Sequence, residues 1–237
     1  MRRYKGEHTI KSEDSIQTVS EQKARGEKGG LIRGILIWSV YFLYCFLAVL
    51  LIEKGVIRFP ETETGMTLRT IMLNSVPIIL IIVVVIRNRG NLISKLDIGR
   101  SFKSITISIL SVALYYYMYI GAKHGTANEH VLYEWLYYLL GVAFLEELVF
   151  RVILPSIISD SCGYFFAVVI SNFLFAILHL VVPLVTEKGS MHLADYANYL
   201  LGPFILGLIF SGLKICFGSV VPGIFLHAAL DFSKYFR

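Results

Sequence analysis

Charged residues are scarce in this chain. Only 16% of its 237 residues are Asp, Glu, Lys or Arg, whereas a soluble domain carries about 25%. Hydrophobic residues make up 56% of the sequence, and the mean hydropathy is +0.67. These values argue against an ordinary soluble domain and favour an integral membrane protein.

Cysteine is also sparse, and the usual metal motifs are missing. Cys45, Cys162 and Cys216 are widely spaced and form no CxxC pair, so the sequence predicts neither a disulfide framework nor a cysteine-based zinc site. The HExxH spacing of helical zinc proteases does not occur. No internal repeat is visible, which weighs mildly against a secondary transporter.

The first apolar run begins only near Leu31, after a polar and basic segment. This order differs from the short charged segment and early apolar run of a cleavable signal peptide. We therefore expect residues 1–30 to be a disordered cytoplasmic leader, followed by a retained signal anchor. Orientation in the membrane explains the basic charges, so no nucleic-acid partner is expected.

Long apolar runs occupy most of residues 31–237. A membrane-spanning helix needs about 20 apolar residues. The sequence therefore predicts an all-α fold, a polytopic transmembrane helical bundle of about seven spans that forms a single domain. The predicted spans are 34–52, 70–86, 104–122, 135–158, 164–185, 198–217 and 219 to the C-terminus.

The distribution of basic residues predicts how the bundle is oriented. The leader is basic, and so is the loop after the second span, which contains Arg87, Arg89, Lys95, Arg100 and Lys103. Because short cytoplasmic loops carry an excess of Lys and Arg, the N-terminus is expected in the cytoplasm. The protein is then a multi-pass integral membrane protein.

Six of the ionisable side chains within the apolar runs form three groups. A charged side chain at bilayer depth costs about 3 kcal/mol, so such residues normally face a protein interior or a hydrated cavity. Counted along each helix at about 1.5 Å per residue, the groups lie at compatible depths. The pattern indicates one active site shared by the fourth, fifth and seventh spans, which contain respectively Glu146, Glu147 and Arg151; His179; and His227 and Asp231.

The first group contains two carboxylates with different surroundings. Glu147 and Arg151 are four residues apart and share a helix face, where they can pair. Glu146 is rotated by about 100° from Glu147 and cannot do the same task. We predict that Glu146 is the general base, while Glu147 and Arg151 order the site. The alternative is that this pair only fixes the fourth span to its neighbours.

The other two groups contain histidines. A lone histidine on an apolar face is usually a packed core residue, but a second intramembrane histidine favours a function for His179. Asp231 lies one helical turn after His227 and could fix the tautomer of that imidazole. The main hypothesis requires no cofactor. Glu146, His179 and His227 form an alternative ligand set for a divalent metal such as zinc.

Three motifs in order give this sequence a family resemblance. They are Glu146-Glu147-Leu-Val-Phe-Arg151, Phe175-Ala-Ile-Leu-His179 and His227-Ala-Ala-Leu-Asp231. On these motifs the chain resembles the CAAX protease and bacteriocin-processing family of intramembrane proteases, which includes the type II CAAX prenyl endopeptidases. The resemblance covers residues 131–237 and assigns the protease-like core to that region.

The resemblance implies an endopeptidase that cleaves a peptide or a prenylated protein at the lipid bilayer. Glu146 would activate water with help from His179, Arg151 would support the glutamates, and His227 and residue 231 would stabilise the oxyanion. Asp231 departs from the family's more usual asparagine. Because an ionised carboxylate cannot donate to an oxyanion, we assign Asp231 the task of holding His227.

Two other functions remain open at this point. Some relatives are linked to bacteriocin self-immunity, which a protein can provide by binding alone. A proton-coupled transporter could use Glu146, His179 and His227 as a proton relay.

Overall fold

The computed structural model describes residues 7–60, 62–87, 102–125, 130–186 and 192–233. No strand occurs in these ranges, so the predicted all-α fold is confirmed. Two π-helical segments, Tyr137–Ala143 and Leu148–Ile153, interrupt the longest helical stretch. The α-helices are α1 (Glu7–Glu53), α2 (Glu63–Leu73), α3 (Ser75–Arg87), α4 (Phe102–Gly125), α5 (Val131–Leu136), α6 (Phe144–Glu147), α7 (Leu154–Leu178), α8 (Val181–Thr186), α9 (Leu193–Phe217) and α10 (Val221–Phe232).

Several of these helices are long and apolar enough to cross a bilayer. Within the described ranges there are four such stretches, and a fifth if the pair Thr64–Leu73 and Ser75–Val84, bent by 56°, counts as one broken span. The chain is therefore an integral membrane protein. The four stretches are Gly29–Glu53, Phe102–His124, Val131–Thr186 and Leu193–Phe217.

The prediction of about seven spans exceeds this number for two physical reasons. The stretch Val131–Thr186 contains 56 residues and takes in both predicted spans four and five. It kinks at Gly163, which has φ 77°, a backbone conformation that glycine adopts without strain. The predicted seventh span is also too short to cross alone, because Val221–Phe232 has only 12 residues, about 18 Å of helix against a hydrocarbon core of about 30 Å.

Two other expectations concern the polar ends of the spans. α1 begins at Glu7, so the leader that was predicted to be disordered is helical from that residue onward. The basic loop lies almost entirely in residues 88–101, outside the described residues. The cytoplasmic position of the N-terminus therefore stays a prediction.

The buried apolar side chains form two clusters. One lies between α1 and the helices on either side of the Gly163 kink, and includes Tyr41, Phe150 and Phe175. The other lies between α4 and α10, and includes Tyr115 and Phe232. The second π-helical segment contributes side chains to both clusters. The backbone around the predicted glutamate motif is therefore packed on both sides.

α1 lies directly against α7 at two glycines. A Cβ atom built on Gly30 would lie 2.5 Å from the carbonyl oxygen of Ile157, and one on Gly34 would lie 2.5 Å from the Ile158 side chain. The Leu31 backbone N–H donates to Ser161 Oγ at 2.8 Å. Small residues spaced by four let membrane helices approach closely and make such contacts.

Replacement of Gly30 by alanine should weaken this helix pair. The added methyl group would meet a backbone oxygen that no side-chain rotation can move, so α1 must shift away from α7. We expect a loss of about 1–3 kcal/mol in the free energy of unfolding, measured by denaturant titration in detergent micelles.

Gly29→Ala is the matched control for this prediction. A Cβ on Gly29 meets only the Arg33 side chain, at 3.8 Å. Equal unfolding free energies for the two alanine variants would contradict the close approach at Gly30.

Candidate active site

The glutamate motif lies on an unusual piece of helix. α6 has only four residues and is enclosed by the two π-helical segments, so that Glu146 and Glu147 sit between two widened turns. Such widened turns are rare in proteins overall, and many of those that do occur lie at functional sites. They change the angular positions of side chains from those of a regular α-helix.

Pro155 leaves backbone carbonyls near the motif without a helical partner, and side chains from elsewhere in the chain donate to them. Proline has no N–H, so it cannot donate to the Arg151 carbonyl in an α-helical turn or to the Phe150 carbonyl in a π-helical turn. Lys214 Nζ on α9 donates to the Arg151 carbonyl at 2.7 Å, and Ser171 Oγ donates to the Phe150 carbonyl at 2.7 Å. These bonds attach the motif to α7 and α9.

Glu147 is the centre of the polar cluster. Its Oε1 atom lies 3.2 Å from Arg151 Nη2 and 3.0 Å from His227 Nδ1, and the side chains of Glu147 and Arg151 are fully buried. An ionised carboxylate only accepts hydrogen bonds, so the contact places a hydrogen on His227 Nδ1. Glu147 thereby orients the imidazole, and Arg151 balances the charge of Glu147.

The opposite edge of the His227 ring faces two carboxylates that are more accessible than Glu147. Nε2 lies 3.7 Å from Glu146 Oε2 and 3.6 Å from Asp231 Oδ2. The Glu146 side chain is 18% exposed and that of Asp231 is 34% exposed, whereas Glu147 is inaccessible. Both distances are longer than a hydrogen bond between a nitrogen and an oxygen atom. Glu146 and Asp231 are therefore the carboxylates that a reactant could reach.

Phe175 places His179 beside the cluster. Its ring centroid lies 4.5 Å from that of His179 and 6.1 Å from that of His227. The Arg151 guanidinium lies over the same ring at 4.5 Å, a cation–π contact. The His179 Nδ1 atom lies 3.0 Å from the Phe175 carbonyl. Because a carbonyl only accepts, the hydrogen belongs on Nδ1 and leaves His179 Nε2 free to accept a proton.

The structure thus brings five of the six predicted residues into one contact network, and His179 adjoins it through Phe175. The ion pair predicted between Glu147 and Arg151 is present. One expected contact differs: Glu147, not Asp231, holds His227 Nδ1. Asp231 faces the other ring nitrogen.

The alternative hypothesis, a metal site, needs three ligands arranged around one point. No group of three His, Cys, Asp or Glu side chains in the described part of the chain is arranged to hold a metal ion. The residues predicted as ligands, Glu146, His179 and His227, form no such group.

Sequence reasoning missed two polar residues that support the cluster. Lys214 lies in the predicted sixth span, and Asn172 is fully buried on α7, where its amide nitrogen donates to Ser211 Oγ at 2.9 Å. Both are polar residues inside apolar runs. The criterion of ionisable side chains would have found Lys214 if it had been applied to every span, but it passes over the neutral amide of Asn172.

Two glycines let neighbouring helices approach the buried charges. A Cβ on Gly223 of α10 would lie 3.1 Å from Glu147 Oε2. A Cβ on Gly207 of α9 would lie 2.4 Å from Asn172 Oδ1 and 3.4 Å from Arg151 Nη2. The site is therefore closed on two sides by backbone that has no room for a side chain.

Replacement of Gly207 by alanine should disturb the site without changing any ionisable group. The methyl group must displace the Asn172 amide, and the Arg151 guanidinium is its next neighbour. We expect a loss of about 1–3 kcal/mol in unfolding free energy in detergent, together with a clear fall in activity.

Gly212→Ala on the same helix provides the control. A Cβ at Gly212 has nothing within 4 Å, and alanine favours a helix more than glycine does. A destabilisation at Gly212 equal to that at Gly207 would show that the effect belongs to the helix and not to the site.

These features define a class of protein. It is a helical membrane protein in which a buried ion pair of a carboxylate and a guanidinium, together with two imidazoles, lies beside an accessible glutamate. Residues 128–233 match the family model for the type II CAAX prenyl endopeptidase Rce1-like domain. The match contains all three motifs and supports the family predicted from them, the CAAX-type intramembrane proteases. Searches of curated proteins and of solved structures found no match to the chain.

Proposed function

We propose that this protein is an intramembrane endopeptidase in which Glu146 activates the water that attacks the peptide bond. The observation that supports this most directly is the arrangement around His227. One ring nitrogen is held by the fully buried Glu147–Arg151 pair, and the other faces the accessible Glu146. One carboxylate thus orients the ring, and the other is available to react.

In the proposed reaction, Glu146 takes a proton from water as the oxygen attacks the carbonyl carbon of the substrate. The negative charge then develops on the carbonyl oxygen, where a doubly protonated His227 would donate its Nε2–H. Glu146 returns the proton to the leaving nitrogen as the C–N bond breaks. His179, through Nε2, assists the proton transfer. Asp231 keeps a negative charge beside the imidazolium.

An apolar cavity supports a lipid-modified or hydrophobic substrate. It has a volume of about 360 Å³ and lies between α7 and α9, lined by Phe173, Ala176, Ala197, Leu200, Leu201 and Phe204. Phe173 and Ala176 are close in sequence to Phe175, whose ring contacts both imidazoles. The cavity is suited to a prenyl chain or a large apolar side chain, and it is lined in part by α7, the helix that contains Phe175.

The purified protein, reconstituted in liposomes, tests this proposal directly. It is offered prenylated peptides that end in a CAAX sequence and, separately, small hydrophobic peptide precursors, and the products are identified by mass spectrometry. A new peptide end formed only with the protein supports the proposal. Cleavage that stops with a chelator and returns with zinc would instead favour metal catalysis.

The same preparation distinguishes the other candidate functions. If no peptide is cleaved but cells that carry the protein survive a bacteriocin, a binding-only immunity protein is favoured. If liposomes acidify or accumulate solute, transport is favoured. Either result, without proteolysis, would overturn the proposed function.

A further inference from the structure

Lys214 is a cation inside an apolar helix, and the proposed mechanism gives it no task. It lies on α9, which is long and apolar enough to cross a bilayer. A lysine near the end of such a helix usually extends towards the lipid headgroups. Lys214 Nζ instead donates to the Arg151 carbonyl at 2.7 Å, the length of a strong charge-assisted hydrogen bond. The ammonium is therefore attached to the backbone of a residue whose side chain belongs to the active site.

The backbone around Pro155 explains why this carbonyl needs a donor from another helix. The Leu154 N–H donates to the Val149 carbonyl, five residues back, at the end of the second π-helical segment. An α-helical turn would next pair residue 155 with the Arg151 carbonyl, but Pro155 has no N–H to donate. Arg151 is buried, and a buried carbonyl without a donor is costly. Lys214 supplies the donor from α9.

A chain of contacts leads from Lys214 to the reactive edge of His227. Arg151 Nη2 lies 3.2 Å from Glu147 Oε1, and the same carboxylate oxygen lies 3.0 Å from His227 Nδ1. His227 Nε2, on the other side of the ring, faces Glu146. Catalytic groups must be held within about 0.5 Å of their productive positions. A shift of the Arg151 backbone would therefore be passed on to the imidazole.

We propose that Lys214 is a positioning residue for the cleavage reaction. Its ammonium replaces the backbone donor that Pro155 lacks and fixes the Arg151 backbone. Through Arg151 and Glu147 it keeps the Nε2 edge of His227 towards the substrate carbonyl. Lys214 acts through these residues and does not touch the substrate. The inference rests on the proposed function and deepens it, because it adds a residue on α9 to a site whose three motifs lie elsewhere in the chain.

Steady-state kinetics in the liposome assay test this role. Lys214→Met keeps most of the apolar stem and removes the donor. We expect kcat to fall about 10- to 100-fold with little change in KM, because a misplacement of about 1 Å can cost that much. The residues of α9 that line the apolar cavity end at Phe204, more than two helical turns before Lys214, so substrate binding should be spared.

Two further variants at lysines serve as controls. Lys214→Arg keeps a charged donor at the same position and should retain most of the rate. Lys123→Met makes the same chemical change as Lys214→Met at the exposed end of α4 and should leave kcat and KM unchanged.

Pro155→Ala offers a sharper test, because it restores a backbone N–H four residues after Arg151. In an α-helical turn this group can donate to the same carbonyl that Lys214 holds. Lys214→Met should then reduce kcat much less in the Pro155→Ala background than in the wild type. Rates are compared within each background, so any effect of Pro155→Ala alone cancels. An equal loss in both backgrounds would overturn the proposal.

The imidazole signals of His227 separate this inference from the proposed function. The histidines are labelled with an NMR-active nitrogen isotope, and His227→Gln identifies the signals of that residue in detergent. Lys214→Met should shift or broaden these signals, Lys123→Met should leave them unchanged, and Pro155→Ala/Lys214→Met should restore them. If the wild type cleaves no peptide, the proposed function fails while these signals still decide the position of the ring.

Two results would contradict the positioning role. One is a set of His227 signals that does not move in Lys214→Met, even if the free energy of unfolding falls, since that would show a structural role alone. The other is a kcat that falls no further than in Lys123→Met. If Lys214→Met is too unstable to purify, the double variant with Pro155→Ala should be recovered folded. Failure of both to fold would show that Lys214 does not replace the missing donor of Pro155.

Discussion

Glu146→Gln should abolish peptide hydrolysis and leave the protein folded and inserted. Glutamine has nearly the shape of glutamate but cannot take a proton from water. General-base catalysis contributes about 10²- to 10⁴-fold, so we expect kcat to fall by at least that range with little change in KM. The Glu146 side chain is 18% exposed, and His227 Nε2 lies 3.7 Å away, near the outer limit of an ion pair and beyond the length of a hydrogen bond. Its loss should therefore cost little stability.

Three measurements check this prediction in the liposome assay. They are the rate of product formation, the KM of the cleaved peptide and the unfolding midpoint in detergent. Glu53→Gln, at the exposed end of α1, makes the same chemical change far from the motifs in sequence and should leave the rate unchanged. If Glu146→Gln retained more than about a tenth of the wild-type rate, water activation by Glu146 would be wrong.

Helical spacing was enough to predict the contacts within one helix. Glu147 and Arg151 are four residues apart and form the predicted pair at 3.2 Å, and Phe175 and His179 have contacting rings by the same spacing. The contact between Glu147 and His227 joins residues that are 80 positions apart. Nothing in a local pattern specifies which ring nitrogen such a distant carboxylate will meet.

The shape of the backbone was less accessible to sequence reasoning. A regular rotation per residue was assumed for the glutamate helix, whereas π-helical segments precede and follow α6. Pro155 was a visible signal, because it removes an N–H from this region, but its effect depends on donors from elsewhere. Lys214 and Ser171 supply them through tertiary packing. The span count is approximate for a similar reason, since hydropathy alone does not locate a kink such as that at Gly163 within one long helical stretch.

Glu147→Gln should produce the largest loss of stability in the chain. Arg151 is fully buried and Glu147 is the carboxylate at ion-pair distance from it among the described residues. Removing one member of a buried pair leaves an uncompensated charge and costs about 3–5 kcal/mol. A guanidinium cannot lose its proton to relieve this cost. The ring of Phe175, 4.5 Å from Arg151 Cζ, offers only a cation–π contact in its place.

Arg151→Met should cost less than Glu147→Gln, because the remaining carboxylate keeps His227 Nδ1 as a partner at 3.0 Å and can also be neutralised by a proton. The double variant Glu147→Gln/Arg151→Met removes both charges, so its loss should be smaller than the sum of the single losses by about 1–3 kcal/mol. Denaturant titration in detergent measures this coupling. If the Glu147→Gln protein is too unstable to purify, the double variant should still yield more folded protein than that single variant. Additive losses, or a double variant that is worse than both single variants, would show that the two charges do not stabilise each other inside the bundle.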